Sequence, residues 1–535
     1  MSNSNTAARW VGLAAALALL NLALTFVNVW PTLTVRVTAQ LSLETAALVL
    51  GLALTRHWRG PLSRAARRSL AVVWVFLTLG HYVDVSTRSL YGRSVNLYWD
   101  FKLLPDVGAM FAFVADPWIL VAVVVGVVLL PVLVYLALHW AIGCVSDTCG
   151  DSVARRALIV VSVLVLSVAA AQRVDGRLLG GVQFSPPVAV AYAQEGIEFF
   201  REVTGLAHRI LPPAPVINSD LALVQGADVF VLFLESYGAT SWDRPEFRDA
   251  LADARAMLER DISDTGREVV SAFVESTTFG GESWLAHISL LSGTEVRDPD
   301  TNMRLMTERR DTLVTAFARQ GYSTAAIMPG LQRGWPEGGF YGFDRIYGTQ
   351  ELGYRGPPFG WWDITDQYAL ARMDELVIAP QPRSPAFVFL PTISTHAPFT
   401  PAPPYQPDWA RALTSTPHDP AELDSAWAEP ADWTNLGPGY AKSLIYVHET
   451  LGGYLRLRGD RDFVMVVLGD HQPPALVSGE GASWDVPVHV VASRREVLDR
   501  LLRQGFREGL TPQRPIVARM DTLMPILLDA FGDPE

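Results

Sequence analysis

The residues best suited to chemistry sit where apolar runs end. Val229-Phe-Val-Leu-Phe-Leu234 ends at Glu235, and Phe463-Val-Met-Val-Val-Leu468 ends at Gly469-Asp470-His471. Two carboxylates and one imidazole make a good ligand set for a divalent cation. A hydroxyl beside that cation would have its pKa lowered, and a phosphoryl oxygen there would be polarised. Taken singly, the bland reading of each residue is the better one. Glu235 would cap a helix N-terminus, and Asp470-His471 would be a polar turn. The combination is more specific than its parts.

These residues need elements to hold them. Continuous apolar runs are typical of strands buried on both faces of a parallel sheet. Besides the two above, shorter runs occur at 325–328, 386–390 and 486–491. Helical patterns lie between them, for example at 312–319 and 443–457. Alternating strands and helices predict an α/β domain with a largely parallel central sheet. Ligands bind at the carboxyl ends of such strands, which is where Glu235, Asp470 and His471 fall.

With these motifs in place the chain resembles the alkaline phosphatase and sulfatase superfamily. Val231-Leu-Phe-Leu-Glu-Ser-Tyr-Gly238 is similar to the first metal motif of its phospho-transferring branch, and Leu468-Gly-Asp-His471 to its late metal motif. Ser283-Trp-Leu-Ala-His-Ile-Ser-Leu-Leu-Ser-Gly293 resembles the nucleophile-bearing helix start. Ser394-Thr-His-Ala-Pro-Phe-Thr400 resembles the substrate-binding His segment of lipoteichoic acid synthases. The likeness covers roughly 228–494, while the membrane part matches in layout only. The resemblance implies one divalent metal ion (manganese, magnesium or zinc) held by Glu235, Ser283, Asp470 and His471, with Ser283 as nucleophile. It implies that His396 binds or protonates the transferred phospho-group or the leaving oxygen. Trp335, in Gln332-Arg-Gly-Trp335, matches a tryptophan near the substrate pocket. Arg333 beside it has a fork suited to phosphate oxygens, and equally reads as an ordinary surface arginine.

The sequence departs from that family in three places. The synthases and phosphoethanolamine transferases use a Thr nucleophile, so Thr278, in Glu275-Ser-Thr-Thr-Phe-Gly-Gly281, competes with Ser283. Glu235-Ser236 replaces the paired Asp-Asp of true sulfatases, and no Cys-x-Pro-x-Arg motif occurs, which argues against a formylglycine sulfatase. The disulfide-forming cysteines common in phosphoethanolamine transferases are missing. Other candidates are weaker. Neither Gly280-Gly281 nor Gly338-Gly339 belongs to a phosphate-binding Gly-rich fingerprint, so no nucleotide cofactor is expected. His287, His418 and His448 read as structural histidines. The Pro- and Trp-rich stretch 401–433 is an insertion, equally a lid over the site or a plain surface loop.

The first third of the chain is of a different kind. Five stretches approach the roughly 20 apolar residues that a spanning helix needs: 10–30, 39–55, 70–85, 118–142 and 157–171. Trp10 and Trp30 suit the interfacial belt. Arg56, Arg59, Arg64, Arg67 and Arg68, and then Arg155 and Arg156, mark cytoplasmic loops by the positive-inside rule. The segment 91–117 and everything after the fifth span then lie outside. Cys144 and Cys149 fall in a cytoplasmic loop, leaving the soluble part without a thiol. The expected organisation is a transmembrane region over 1–171, a connector over 172–215 and a catalytic domain over 216–535. In the connector Gly180, Gly181, Pro186 and Pro187 break any continuous helix, and 189–203 has helical spacing suited to the membrane surface.

The net charge of −12 argues against a nucleic-acid partner, since phosphate backbones need a basic surface. The chain therefore reads as a multi-pass protein of the plasma or inner membrane with an extracytoplasmic catalytic domain. The resemblance implies transfer of a phosphoglycerol- or phosphoethanolamine-like group from a lipid donor to a glycan or lipid acceptor. A phosphatase, phosphodiesterase or sulfatase-like hydrolase of the same fold is the alternative. An inactive membrane sensor or assembly protein is a second. The oligomeric state is open. Reporter fusions at Arg64 and Gly205 are predicted to give opposite sidedness, and equal sidedness would overturn the topology.

Overall fold

The computed structural model describes residues 2–28, 34–91, 93–114, 117–174, 182–206, 211–479 and 481–532. They form two compact units, divided near residue 208.

In the first unit, Ser2–Leu22 packs on Pro117–Thr148, and Leu43–Trp58 on Ser152–Val174. Among the described residues three helical stretches are long and apolar enough to cross a membrane: Arg64–Ser89, Pro117–Thr148 and Ser152–Arg173. Five were expected. The first candidate falls short because its apolar helix, Ala8–Leu22, stops early. The chain then turns to pair β1 (Val27–Asn28) with β2 (Val35–Arg36). Trp30, Gly180 and Gly181 lie outside the described residues. The second candidate is a helix of 16 residues, Leu43–Trp58. A further helix, Leu97–Val114, occupies the segment read as a connection. It carries Asp100, Lys102 and Asp106, which mask it in a hydropathy reading. The cysteines also differ from expectation. Cys144 is inside Pro117–Thr148 and Cys149 follows that helix directly, both as free thiols. The helix outlasts the apolar run because Gly143, Val145 and Thr148 are packed inward.

The second unit is built on a nine-stranded sheet. Its strands are β3 (Asp228–Leu234), β4 (Glu268–Glu275), β5 (Ser323–Ile327), β6 (Arg345–Tyr347), β7 (Ala386–Pro391), β8 (Phe463–Gly469), β9 (Asp485–Ala492), β10 (Arg507–Glu508) and β11 (Ala518–Arg519). Their order is β10-β4-β9-β8-β3-β7-β5-β6, with β11 on β4. Only β9 and β10 run against the rest. The sheet is thus mostly parallel, with one antiparallel strand inserted between β4 and β8. Both faces are covered. Val229, Val231 and Phe233 of β3 enter one apolar core, while Phe230, Leu232 and Leu234 enter the other. That two-sided burial is why β3 and β8 are apolar without alternation.

One buried ion pair fixes the start of β3. Both Asp228 carboxylate oxygens accept from the Arg383 fork at 2.6 Å, and Oδ1 also accepts the Ala386 N–H at 2.8 Å. The aspartate thereby ties the first residues of β3 and β7 together. Removing one partner of a buried pair leaves an uncompensated charge and costs about 3–5 kcal/mol. Asp228→Ala should therefore lower the thermal midpoint of the full-length protein by several degrees. A midpoint unchanged from wild type would show that the pair does not hold the strand.

Candidate active site

Four connections leave the carboxyl ends of parallel strands and converge, three from the neighbours β8, β3 and β7 and one from β4 beyond the antiparallel β9. Leu234 of β3 is in register with Gly469 of β8, so Glu235 and Asp470 leave adjacent strands at the same height. The connection after β7 carries His396, and the one after β4 carries Ser283. A side chain at Gly469 would stand 1.9 Å from the Tyr237 carbonyl oxygen, so only glycine permits this approach.

Glu235, Asp470 and His471 offer ligand atoms that lie within 4.8 Å of one another, and all three are buried. The Ser283 hydroxyl donates to Glu235 Oε2 at 2.8 Å and lies 3.1 Å from His471 Nε2. Ser283 is the first residue of the helix Ser283–Ser292. The entry into that helix passes through left-handed backbone at Gly280 and Glu282, with φ 71° and 60°. Thr278 is elsewhere, its hydroxyl donating to the Gly281 carbonyl at 2.5 Å. Of the two competing hydroxyls, the fold brings Ser283 to the carboxylates.

The electrostatics follow from two carboxylates sharing one imidazole out of water. Burial raises the Glu235 carboxyl, but the facing His471 outweighs it and holds the group well below the usual range. Burial, reinforced by the Glu235 charge, pushes Asp470 well above it. Burial would lower His471, but Asp470 and Glu235 outweigh that and raise it to about 9. His471 Nδ1 is 2.7 Å from the Gln472 carbonyl, which fixes it as the protonated nitrogen and turns Nε2 toward the carboxylates. Asp470 Oδ1 accepts the N–H groups of Ser236 and His471, at 2.8 and 2.7 Å. Its Oδ2 is buried without a hydrogen-bond partner among the described residues. An orphaned carboxylate oxygen beside a second carboxylate and an imidazole nitrogen fits a divalent cation.

The remaining expected residues are placed as follows. His396 is half-buried, its Nδ1 is 2.8 Å from the Ala397 carbonyl, and Trp362 meets its ring edge-on at 4.8 Å. It acts electrostatically on Glu235. Arg333 is exposed and makes no hydrogen bond or ion pair among the described residues. Trp335 packs on Tyr341 at 5.3 Å and shares a pocket with Arg333, Gln332 and Glu351. Neither residue touches the carboxylate cluster. His287 lies between Phe233 and Phe389, and His448 is 2.6 Å from the Leu444 carbonyl, so neither joins the ligand group. Sequence reasoning missed the supports of Glu235. The Thr392 hydroxyl accepts the Glu235 N–H at 3.0 Å, and the Thr395 hydroxyl donates to its carbonyl at 2.5 Å. The Ser236 hydroxyl donates to Glu235 Oε1 at 3.0 Å. Thr395 lies inside the His motif and Thr392 just before it, which is their only signal in the sequence.

Residues 290–489 match the sulfatase family model. The matched stretch, within the second unit, is thus similar to a sulfatase domain. The matched stretch contains His396, Asp470 and His471, and begins after Glu235 and Ser283. Solved structures similar to the chain include the lipooligosaccharide phosphoethanolamine transferase EptA from Neisseria meningitidis, at 12% identity, 90% of this chain, 95% of that one and a TM-score of 0.42. The lipoteichoic acid synthase LtaP from Listeria monocytogenes is 14% identical over 55% of this chain and 70% of that one, with a TM-score of 0.36. The phosphoglycerol transferase GacH from Streptococcus pyogenes is 12% identical over 64% and 80%, with a TM-score of 0.36. No curated protein matches the chain.

Without a metal the carboxylate–imidazole cluster is protonated. His471, raised to about 9, holds its proton at neutral pH. In the metal-free protein this imidazolium stabilises the fold fully below the unfolded value of 6.5, and the contribution is lost as pH rises through about 9. Divalent-ion uptake must expel the proton. Apparent affinity for manganese or zinc should therefore rise about tenfold per pH unit between about pH 7 and pH 8.5, with proton release in weakly buffered solution. A flat affinity over that range would overturn the ligand assignment of His471.

Proposed function

We propose that the protein is a membrane-anchored, metal-dependent transferase that moves a phospho-group from a lipid donor to an acceptor hydroxyl through a phosphoserine at position 283. The observation that carries this reading is the Ser283 hydroxyl held between Glu235 Oε2 and His471 Nε2, at 2.8 and 3.1 Å. A phosphatase would use the same first step with water as the acceptor.

Glu235, Ser283, Asp470 and His471 would hold the divalent ion. When bound, it supplies Lewis-acid polarisation of a phosphoryl oxygen and favours the ionised serine. The chain's own residues do the rest. Ser283 attacks phosphorus from a helix N-terminus, where backbone N–H groups favour the negative charge of the phospho-group. The Ser283 hydroxyl gives up its proton to solvent, the Oγ–P bond forms and the bond from phosphorus to the leaving oxygen breaks; in the second step the bond from the acceptor oxygen to phosphorus forms as the Oγ–P bond breaks and Ser283 regains a proton. His396 hands a proton to that oxygen, and its neutral ring later takes one from the acceptor hydroxyl. Arg333 and Trp335 stand beyond the cluster and are assigned to the part of the substrate remote from phosphorus.

The lipid donor is supported by where the domain is tethered. Three candidate spans precede it, and the helix Val188–Thr204 exposes Val190, Ile197, Phe200 and Val203. We assign this apolar stripe to the bilayer surface, with residues 172–215 as connector and 216–535 as the extracytoplasmic domain.

The covalent step is tested by mass spectrometry of protein quenched during turnover of glycerophospholipids. The expected result is a phospho-group adduct on Ser283 that disappears on adding an acceptor alcohol. Ser283→Ala should remove the adduct and lower turnover by at least about 1,000-fold, with the thermal midpoint nearly unchanged. An adduct on Thr278, or full turnover by Ser283→Ala, would overturn the assignment.

A further inference from the structure

The connection that carries His396 is stitched on both sides. On one side Thr392 and Thr395 bind the backbone of Glu235. On the other stands Asp366, the first residue of the helix Asp366–Met373 and only 1% exposed. Its Oδ1 accepts the Ile393 N–H at 2.7 Å and its Oδ2 accepts the Ser394 N–H at 3.1 Å. In return the Asp366 N–H donates to the Ser394 hydroxyl at 3.2 Å. The turn is closed by the His396 N–H, which donates to the Ile393 carbonyl at 3.1 Å. Every side-chain bond of this carboxylate goes to the two residues that lead into Thr395 and His396.

No cation pairs with Asp366 among the described residues, so an ion pair does not account for its burial. Burial pushes its carboxyl up to about 6, against the opposing pull of the Ile393 and Ser394 hydrogen bonds. An uncompensated buried carboxyl is costly to keep. The neighbouring helix residue extends the same anchorage. The Gln367 N–H donates to the Tyr446 hydroxyl at 3.0 Å, and its side chain exchanges hydrogen bonds with the backbone of Gln406, at 2.5 and 2.9 Å.

We infer that Asp366 is a positioning residue for the transfer reaction, setting the place of His396 relative to Glu235 through the Ile393-Ser394 backbone. The inference rests on the proposed transfer chemistry, in which His396 protonates the leaving oxygen. In the first step, phosphoserine formation, a displaced His396 then fails only where the leaving oxygen needs a proton. General acid catalysis contributes about 100-fold or more for a poor leaving group, and almost nothing for a nitrophenolate, which departs unprotonated.

The test uses the full-length protein in detergent, with an n-alkyl ester and a 4-nitrophenyl ester of the same glycerophosphate. Asp366→Asn keeps the side-chain volume and presents an N–H to a group that needs an acceptor. It should lower the rate of phosphoserine formation from the alkyl ester by about 100-fold and leave the pre-steady-state burst rate of nitrophenolate release within a few-fold of wild type. His396→Ala should show the same split, and Asp366→Glu should recover part of the loss. An equal loss on both esters, or none on either, would overturn the positioning role. A second measurement needs no turnover. Diethylpyrocarbonate should modify His396 faster in Asp366→Asn than in wild type, with His57 as internal reference, and an unchanged rate would also overturn it. Loss of the phosphoserine on wild-type protein would instead sink the transfer reading, and the modification rate would still decide the role of Asp366.

Discussion

The parallel pairing of β3 with β8 is the constraint from which the site follows. It places Leu234 opposite Gly469, so the next residues, Glu235 and Asp470, emerge side by side. The pairing continues past the strands. Asp470 Oδ1 binds the N–H of Ser236, and the Asp470 N–H reaches the Leu234 carbonyl at 3.4 Å. Close approach of the two chains there is permitted by the missing side chain of Gly469, whose place the Tyr237 carbonyl fills. A one-residue slip of β8 would exchange its two buried faces and carry Asp470 out of the cluster.

That proximity sets the electrostatics. Two carboxylates cannot both ionise cheaply out of water, and one imidazole cannot neutralise both. The metal-free cluster resolves this with a proton: Glu235 stays ionised, His471 takes the charge and Asp470 is pushed upward. A divalent cation would resolve it without one, and Asp470 Oδ2, which has no hydrogen-bond partner among the described residues, would be one of its ligands. Glu235 keeps further partners from its own neighbourhood, the Ser236 and Ser283 hydroxyls, so its two oxygens are aimed separately.

How much of this was legible depended on whether a residue's role is local. β3, β7 and β8 declare themselves as unbroken apolar runs because both faces are buried, and β5 and β9 as shorter apolar runs, that of β9 interrupted by His489. β4 did not, since Ser271 interrupts Glu268–Glu275. The structure explains the serine: its hydroxyl pairs with His489 Nδ1 at 2.7 Å across the β4–β9 ladder, a long-range partner no local pattern reveals. The antiparallel insertion of β9 was invisible for the same reason. At the site, Glu235, Asp470, His471 and Ser283 stood out through strand ends and motif spacing. Asp366 and Thr395 did not, because each acts through a backbone group of another connection. In the first unit, hydropathy judged apolar runs but not helix ends, so Cys144 was assigned to a loop that is the last turns of a helix.

The arrangement also bears on how displacement geometry is secured. Transfer at phosphorus needs the attacking and leaving oxygens roughly in line on opposite sides. In the proposed mechanism the attacking oxygen belongs to Ser283 and the proton donor for the leaving oxygen to His396, on connections after different strands. Neither connection touches the other through these residues. Both are tied to Glu235, one through its carboxylate and the other through its backbone N–H and carbonyl. A single residue thus references the nucleophile and the proton donor to the same point. Its side chain holds the first and its main chain the second, so a displacement of Glu235 would move both together.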